Sequence, residues 1–343
     1  MGSNEARFFR TFGVTTAVLV AGLILVAVVV DPYGIFGTSL LPTITSTSRV
    51  DKLSQIDGLK IAPEAVIIGS SRAMNIDPDQ VDSFTKCRAY NLSVNNAKPE
   101  DFLAFTRYLV EQKNTRPKLL MIGIDPDAFD DVPIQYQALN YVPFREYLGI
   151  SFLEAQLNRI GALREHLNGF YLRDTARSLW YAFVAGYPEK KMRFAPNGQL
   201  QEDRVFPKPK DWTEDYFQVI IDGFKSVEGV SAWRKDYLEE FIAYSKSRGI
   251  QIVFFFQPFE PRMLQRLEDV PEYVGYYNEL MKYLTGIAAE NDIPFYNFVS
   301  IESFGGDPED FTDPVHQGFD NSRRMLNTMF SGSSLIDYCL QPT

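Results

Sequence analysis

Five short, mainly apolar runs are spaced along the chain and separated by polar stretches. They cover residues 65–69, 88–94, 118–124, 250–256 and 294–298. Runs of this length, rich in β-branched and aromatic residues, are typical of strands buried on both faces of a parallel sheet. Between and after them, apolar residues recur every three or four positions, as in amphipathic helices. The pattern therefore predicts an α/β domain in which helices cover a parallel sheet.

One connection between these runs is much longer than the others. Within residues 126–230, helical periodicity occurs at 151–167 and 173–186, and a polar stretch rich in Lys and Pro follows at 189–211. A connection of this length between two strands of one sheet is uncommon. We therefore predict a helical insertion at about 126–230, within an α/β domain that extends over residues 61–335.

The most apolar stretch of the chain lies near the N-terminus. Residues 13–30 carry no charge, and at about 1.5 Å per residue they would span roughly 27 Å, close to the thickness of a bilayer core. Arg7 and Arg10 precede this stretch, which places residues 1–12 in the cytoplasm and exports the rest. A cleaved signal peptide would have a shorter apolar region and small residues at its cleavage site. The pattern predicts an uncleaved transmembrane anchor, followed by a Gly-, Pro-, Ser- and Thr-rich tether at 31–60.

Charge and composition narrow the classes of partner and cofactor. The net charge of −10 argues against nucleic acid, because a phosphate backbone would repel this surface. Only two histidines are present, His166 and His316, and this scarcity argues against a zinc centre. We predict neither a metal nor a cofactor. Cys87 and Cys339 could pair in an oxidising compartment or stay free, and their number does not decide between these states.

Two stretches carry candidate catalytic residues. The first apolar run ends at Gly69, and Ser70 and Ser71 follow at the carboxyl end of the predicted strand, where open α/β sheets bind ligands. Asp313 precedes His316 by three residues and can fold back onto its ring. A serine becomes nucleophilic when an imidazole held by a carboxylate takes its proton, and His316 is the natural base. The alternative interpretation is that these serines and Asp313 only cap a helix and a turn.

The order of these two motifs resembles that of the SGNH/GDSL hydrolase superfamily. In that superfamily the nucleophile follows the first strand in a Gly-Asp-Ser block, and a late Asp-x-x-His motif supplies the orienting acid and the base. Residues 69–71 read Gly-Ser-Ser. The resemblance therefore implies Ser71 as the nucleophile, His316 as the base and Asp313 as the residue that orients it. It also implies a flavodoxin-like three-layer α/β/α fold.

Gly-Ser-Ser-Arg at 69–72, together with the N-terminal anchor, is most similar to the membrane-anchored branch of this superfamily. That branch includes the teichoic-acid D-alanylation protein and SGNH proteins that work beside membrane-bound O-acyltransferases on exopolysaccharides. The resemblance implies a periplasmic or extracellular serine acyl-esterase or acyltransferase acting on O-acyl groups of a cell-envelope polysaccharide, with a membrane-bound O-acyltransferase as a partner. The alternative is a catalytically weak or inactive scaffold of such an acyltransferase or of a polysaccharide export complex.

Two positions depart from the superfamily pattern for binding an oxyanion. Asn95 and Asn96 stand where the second block supplies a glycine amide, and Asp125 stands where the third block supplies an asparagine. An ionised carboxylate would repel an oxyanion, and losing one donor costs about 10²–10³ in rate. Either one of the asparagines takes over this role or the site is weak. The structural interpretation of Asp125 is that it ends its strand and bonds the amides of the next turn.

Three further residues near the strand ends are candidates for binding the oxyanion or the substrate. They are Ser70, Arg72 and Gln257. Arg72 could bind an anionic group of a substrate, and a surface salt bridge explains it equally well. Gln257 follows the fourth predicted strand, which places it at the same sheet edge as Ser71.

Overall fold

The computed structural model describes residues 3–38, 40–44, 48–166, 169–188, 192–201 and 208–340. The chain divides into two compact units. Unit 1 comprises Met1–Thr47 and Ile134–Lys190, and unit 2 comprises Ser48–Pro133 and Lys191–Thr343.

The strands all belong to unit 2. In chain order they are β1 (Ala65–Ile68), β2 (Ala89–Asn91), β3 (Leu119–Ile124), β4 (Arg193–Phe194), β5 (Leu200–Gln201), β6 (Gln251–Phe256) and β7 (Phe295–Asn297). β4 and β5 form a small antiparallel hairpin, and the other five form a parallel sheet with the order β2–β1–β3–β6–β7. This is the flavodoxin-like order. The predicted parallel sheet is confirmed, and its five strands coincide with the five apolar runs.

The helices of the described residues account for most of the remaining chain. In chain order they are α1 (Ser3–Val30), α2 (Ser48–Asp57), α3 (Pro78–Thr85), α4 (Pro99–Arg107), α5 (Tyr136–Leu139), α6 (Val142–Tyr147), α7 (Phe152–His166), α8 (Gly169–Trp180), α9 (Glu214–Lys225), α10 (Ala232–Lys246), α11 (Pro261–Glu268), α12 (Pro271–Glu290) and α13 (Phe319–Phe330). π-Helical turns continue α4 through Gln112 and α8 through Ala185.

The core of unit 2 lies on both faces of the sheet. Every residue of β1 and β3 is buried, because successive side chains point to opposite faces and helices cover both. Ala65 and Ile67 of β1 share a core cluster with residues of α9, α11 and α13. Elsewhere α4 packs against α10, where Phe102 meets Phe241 edge to face. The three-layer α/β/α architecture that the resemblance implied is thus present.

The stretch predicted as a tether is shorter than expected, because α2 belongs to unit 2. Arg49 is buried and makes a bidentate ion pair with Asp101, with N–O distances of 2.8 and 2.7 Å. The Lys52 ammonium is also buried and donates to the Asn91 carbonyl at 2.7 Å, and burial lowers the pKa of Lys52 well below its usual range. The polar composition of α2 resembles that of a linker, but its buried charges are compensated by partners that lie far along the sequence.

The predicted insertion is also divided. Ile134–Lys190 forms unit 1 together with the N-terminal residues, whereas α9 lies in unit 2. Phe217 and Phe224 of α9 are part of the core beneath the sheet. Helix α9 is therefore part of the α/β domain and not of a separate insertion, because its apolar face packs in the core of that domain.

Helix α1 is the one helix of the described residues that is long and apolar enough to cross a membrane, by length and composition. It begins at Ser3, earlier than the predicted span of 13–30, and ends at Val30. Both a membrane anchor and a signal sequence have such a helix. Asp31 ends it with a positive φ of 47°, and its carboxylate accepts the Phe36 amide at 3.0 Å.

A disulfide joins Cys87 to Cys339, with Cα atoms 5.1 Å apart. The number of cysteines left this pairing open. The bond connects the residue just before β2 to the C-terminal segment, 252 positions later. Extracellular and periplasmic proteins commonly contain such bonds, whereas cytosolic proteins rarely do.

We expect reduction of this disulfide to lower the free energy of unfolding by about 2–5 kcal/mol, because the cross-link restricts the unfolded chain. The measurement is urea unfolding of the full chain in detergent, with and without reductant. A Cys87→Ala/Cys339→Ala variant, which cannot form the bond, serves as the control and should not respond to reductant. An identical midpoint for oxidised and reduced wild type would contradict the prediction.

Candidate active site

Ser71 lies just beyond β1, at the carboxyl edge of the sheet. After Gly69 the chain enters a one-turn 3-10 helix, Ser71–Ala73, and the Ser70 hydroxyl caps it by accepting the Arg72 amide at 3.1 Å. A Cβ atom on Gly69 would lie 2.8 Å from the Ala73 Cβ. Only glycine fits this close turn, which sets the position of the Ser71 side chain.

His316 meets Ser71 from a loop near the C-terminal end of the chain. Ser71 Oγ and His316 Nε2 are 2.7 Å apart, and His316 Nδ1 is 2.7 Å from Asp313 Oδ2. The other oxygen of Asp313 accepts the amides of Val315 and His316, each at 2.9 Å. The fold therefore brings together three residues that the sequence places in two motifs 245 positions apart.

Hydrogen bonding sets the charge of Asp313. Burial alone would raise the pKa of this carboxyl, but the bonds from the His316 ring and from two backbone amides outweigh it and hold the pKa below its ordinary value. Asp313 is therefore ionised at neutral pH, and we assign the ring proton of His316 to Nδ1, which faces it. His316 Nε2 is then the acceptor that faces the Ser71 hydroxyl.

Arg72 is buried beside this group and is only 5% exposed. Its Nε donates to the Val315 carbonyl at 2.8 Å, and its Nη2 donates to the carbonyls of Gln257 at 3.1 Å and Pro258 at 2.5 Å. The guanidinium also lies 4.6 Å from the centre of the Phe259 ring. The alternative of a surface salt bridge is therefore wrong. Arg72 joins the turn after β1 to the loop that carries His316.

Asp125 follows β3 and is also buried. Its Oδ1 accepts a hydrogen bond from Gln257 Nε2 at 3.2 Å and lies 3.6 Å from Arg72 Nη1, and the Ser70 hydroxyl also donates to the Asp125 carboxylate. Burial raises the pKa of the Asp125 carboxyl against the lowering effect of Arg72. The prediction that the Asp125 carboxylate bonds the amides of the next turn is wrong. The Ala128 amide of that turn donates instead to the backbone carbonyl of Asp125, at 3.0 Å.

Gln257 and Ser70 lie at the predicted sheet edge, and both are buried. Gln257 is fully buried, and its side chain is held between Asp125 and Gln317. The side chain of Ser70 is occupied by the Arg72 amide and Asp125. Ser70 lines the cavity into which Ser71 opens and stays a candidate substrate contact, whereas Gln257 does not line it. Both residues also hydrogen-bond the Asp125 carboxylate.

The two asparagines occupy different environments. Asn96 is exposed, has a positive φ of 49° and lines the cavity into which Ser71 opens. Its backbone carbonyl oxygen accepts a hydrogen bond from Arg49 Nη2 at 3.3 Å, which connects this loop to the buried Arg49–Asp101 pair. Asn95 does not line that cavity, and its backbone amide donates to Ser48 Oγ at 3.0 Å. Of the two, Asn96 is the candidate to face a substrate.

The cavity beside Ser71 and His316 has a volume of about 700 Å³, within the usual range of ligand sites. One part of its lining is apolar and comes from α9 and the following turn: Val219, Ile220, Phe224 and Val227. Another part is acidic: Asp127, Asp130, Asp131 and Glu228. Sequence reasoning missed the apolar part. Phe217, Ile221 and Phe224, at i, i+4 and i+7, were the signal that would have found α9.

Buried cations partly neutralise the acidic part of the lining. Asp130 Oδ2 is 2.9 Å from Lys98 Nζ, and its other oxygen pairs with Arg234. Arg234 is fully buried and also pairs with Glu100 at 3.2 Å. Among the residues that the structure describes, no three carboxylates, thiolates or imidazoles come together as a metal site. The side chain of the other histidine, His166, lies outside the described residues.

Comparisons with known proteins gave no match to a family model and none to a curated protein. Among solved structures, the chain is similar to a putative acylhydrolase from Bacteroides fragilis, with 13% identity, a TM-score of 0.37, and coverage of 84% of this chain and 98% of that one. It is also similar to a GDSL-like lipase from Bacteroides thetaiotaomicron, with 11% identity, a TM-score of 0.36 and coverage of 84% and 99%. An acetyl xylan esterase has 10% identity, a TM-score of 0.34 and coverage of 78% and 98%. At these values the likeness does not assign a function, which is inferred below from the geometry of Ser71, His316 and Asp313.

Proposed function

We propose that the protein is a serine acyl-esterase or acyltransferase of the SGNH type. The observation that carries this proposal is the continuous hydrogen-bonded series from Ser71 Oγ through His316 to Asp313, with both contacts at 2.7 Å. An orienting carboxylate, an imidazole and an alcohol in this order form the arrangement that activates a serine. The cavity gives this serine access to a ligand.

In the proposed reaction, Ser71 Oγ attacks the acyl carbonyl carbon while His316 Nε2 takes the hydroxyl proton. The tetrahedral intermediate collapses, the C–O bond to the alcohol breaks, and His316 returns the proton to the departing oxygen. Water or a sugar hydroxyl then attacks the acyl-Ser71 ester, with His316 again accepting and returning a proton. Water as the acceptor gives hydrolysis, and a hydroxyl gives acyl transfer.

We assign oxyanion stabilisation to the side-chain amide of Asn96, which lines the same cavity as Ser71. Asp125 also borders this cavity, but Gln257, Ser70 and Arg72 engage its carboxylate. These donors reduce the repulsion that a free carboxylate would exert on developing negative charge. The departure at position 125 is therefore compatible with activity in this proposal.

We further propose that the substrate is an O-acyl group of a cell-surface or exported polysaccharide. The apolar lining from α9 suits an acyl group, and the polar lining suits the hydroxyl-rich remainder. Helix α1, as an anchor with a cytoplasmic N-terminus, and the Cys87–Cys339 disulfide favour a domain outside the cytoplasm. A membrane-bound O-acyltransferase is the proposed partner, by resemblance of the sequence motifs.

A fluorophosphonate probe tests the proposal on the purified full chain. We expect a single adduct, located by peptide mass spectrometry at Ser71, and none in Ser71→Ala. The same preparations would be assayed for acetate release from an acetylated polysaccharide and from a simple aryl acetate. A folded wild-type protein that neither reacts with the probe nor releases acetate would favour the inactive scaffold instead.

Arg72→Lys should lower kcat by about 10²-fold with little change in KM, because small displacements of a catalytic group cost rates of this order. The flat guanidinium holds three carbonyl oxygens, including that of Val315 next to His316, and a lysine ammonium cannot reproduce this geometry. Ester hydrolysis kinetics measure the effect, with exposed Arg323→Lys as the matched control. A raised KM with unchanged kcat would instead show that Arg72 binds substrate.

A further inference from the structure

Helix α7 in unit 1 turns its apolar face outward. Leu153, Leu157 and Ile160 recur at i, i+4 and i+7, and they are 67%, 59% and 60% exposed. On the opposite face Arg159 is half-buried, and its Nε donates to the Asn140 side-chain carbonyl at 3.1 Å. A surface helix of a water-soluble protein has the reverse arrangement, with its apolar stripe packed inward.

Helix α8 and its π-helical extension repeat this arrangement. Asp174, Thr175 and Ser178 are buried, and the Thr175 hydroxyl donates to a backbone carbonyl one turn earlier at 2.8 Å. In contrast, Trp180 and Phe183 are 56% and 79% exposed. Both helices of this pair therefore expose aromatic and aliphatic side chains, which is unusual for a surface in water.

The same two helices pack around the end of α1. Tyr171 of α8 forms a small core with Ala27 of α1 and with Ile35, and Leu163 of α7 packs against this core. The Tyr171 hydroxyl donates to the Ala27 carbonyl at 3.4 Å, and the Tyr33 ring meets the Tyr171 ring edge to face at 5.0 Å. The helix pair thus lies at the level where the apolar helix α1 ends.

We propose that α7 and α8, with the extension through Ala185, form an interfacial membrane-binding pair in the headgroup region of the bilayer that α1 crosses. This inference rests on the membrane anchorage of α1 proposed above, and it gives unit 1 a second attachment to lipid. Burying exposed leucines and aromatic rings removes apolar area from water, and tryptophan is enriched at this depth. Arg173 and Arg177 are exposed on α8 and suit contacts with lipid phosphates.

Lipid is favoured over a protein partner as the occupant, because the helix pair packs against the end of α1, whose own apolar side chains are exposed. Residues of α1 from Glu5 to Ala21 are exposed, and burial begins only near its C-terminal end. A bilayer covers both features at once. The mixture of aliphatic, aromatic and arginine side chains is also typical of helices that lie in the interface plane.

Site-directed spin labelling of the full chain tests this inference. Both native cysteines are in the disulfide, so Leu157→Cys and Phe183→Cys each provide a single labelling site. The variants would be reconstituted in vesicles of phosphatidylcholine and phosphatidylglycerol, and collision rates of the nitroxide with oxygen and with a water-soluble nickel chelate would be measured. Glu290→Cys on α12 is the water-exposed control, and Leu19→Cys reports on α1.

We expect labels at 157 and 183 to collide readily with oxygen and to lose most of the nickel collisions seen at 290. Nickel collisions equal to those at 290 would overturn the inference, because the surface would then face water. Low collision rates with both agents would also overturn it, because a second protein surface would then cover the helices. If the label at 19 is protected from nickel while those at 157 and 183 are not, only this inference fails. If the label at 19 also collides with nickel, the proposed anchorage fails with it.

Discussion

Ser71→Ala is expected to lower kcat by about 10⁶-fold, because the residues of a serine triad act as a unit and the loss of the nucleophile removes covalent catalysis. The 2.7 Å contact with His316 is lost, and no acyl-enzyme forms. Activity above the uncatalysed rate, of about 10³–10⁴-fold, would remain from binding and oxyanion contacts. Steady-state hydrolysis of an aryl ester by the full chain measures the effect.

Ser70→Ala is the matched control, since it removes the neighbouring hydroxyl and leaves the Ser71–His316 contact. Ser70 caps the 3-10 helix and bonds Asp125, so its loss should cost about 1 kcal/mol of stability while most of the activity remains. The opposite result, an inactive Ser70→Ala and an active Ser71→Ala, would reassign the nucleophile.

Asp313→Asn is expected to lower kcat by about 10⁴-fold, the size of the effect known for this substitution in a serine triad. The carboxylate accepts the His316 ring proton and two backbone amides. An asparagine amide in this place would donate to Nδ1 and move the ring proton to Nε2, which would then no longer accept the Ser71 proton. Kinetics on the same ester measure the loss, with KM expected to change little.

The lowered pKa of Asp313 also predicts the pH dependence of stability. Because its folded-state pKa lies below the unfolded value, this carboxylate contributes stability above the unfolded pKa of about 3.9, and the contribution is lost as pH falls through the folded pKa. In Asp313→Asn this part of the acid sensitivity should be absent. Thermal unfolding over a series of acidic buffers measures this acid sensitivity, and Asp320→Asn, which alters an exposed carboxylate paired with Arg323, is the control.

For the kinetic prediction, equal activity in Asp313→Asn and wild type would show that His316 needs no orienting carboxylate.

The sequence determined the sheet and the two motifs because both depend on local information. An apolar run such as 119–124 has no place to bury its side chains except between two layers of helices, so the run itself specifies a central strand. The Asp313–His316 contact likewise depends on a spacing of three residues within one loop. A chain with few histidines then leaves one imidazole as the natural base.

The roles of the charged residues could not be predicted from the sequence. Arg49, Lys52 and Arg72 occur in polar stretches, yet all three are buried and bind partners between 39 and 243 positions away in the chain. The sequence reports a charge but not the carbonyl or carboxylate that will compensate it. From the sequence alone, a charged residue of this kind is therefore predicted to lie on the surface.

Local patterns in the sequence were thus enough to predict the parallel α/β sheet, the apolar N-terminal helix and the candidate nucleophile and base. The fold decided that Ser71 and His316 meet, that Arg72 and Gln257 support the site from within, and that α9 lines the cavity. This difference comes from the distance along the chain over which each interaction acts. Hydrophobic periodicity and short spacings are written within a few residues, whereas compensation of buried charge and the apposition of loops arise only when distant segments pack together.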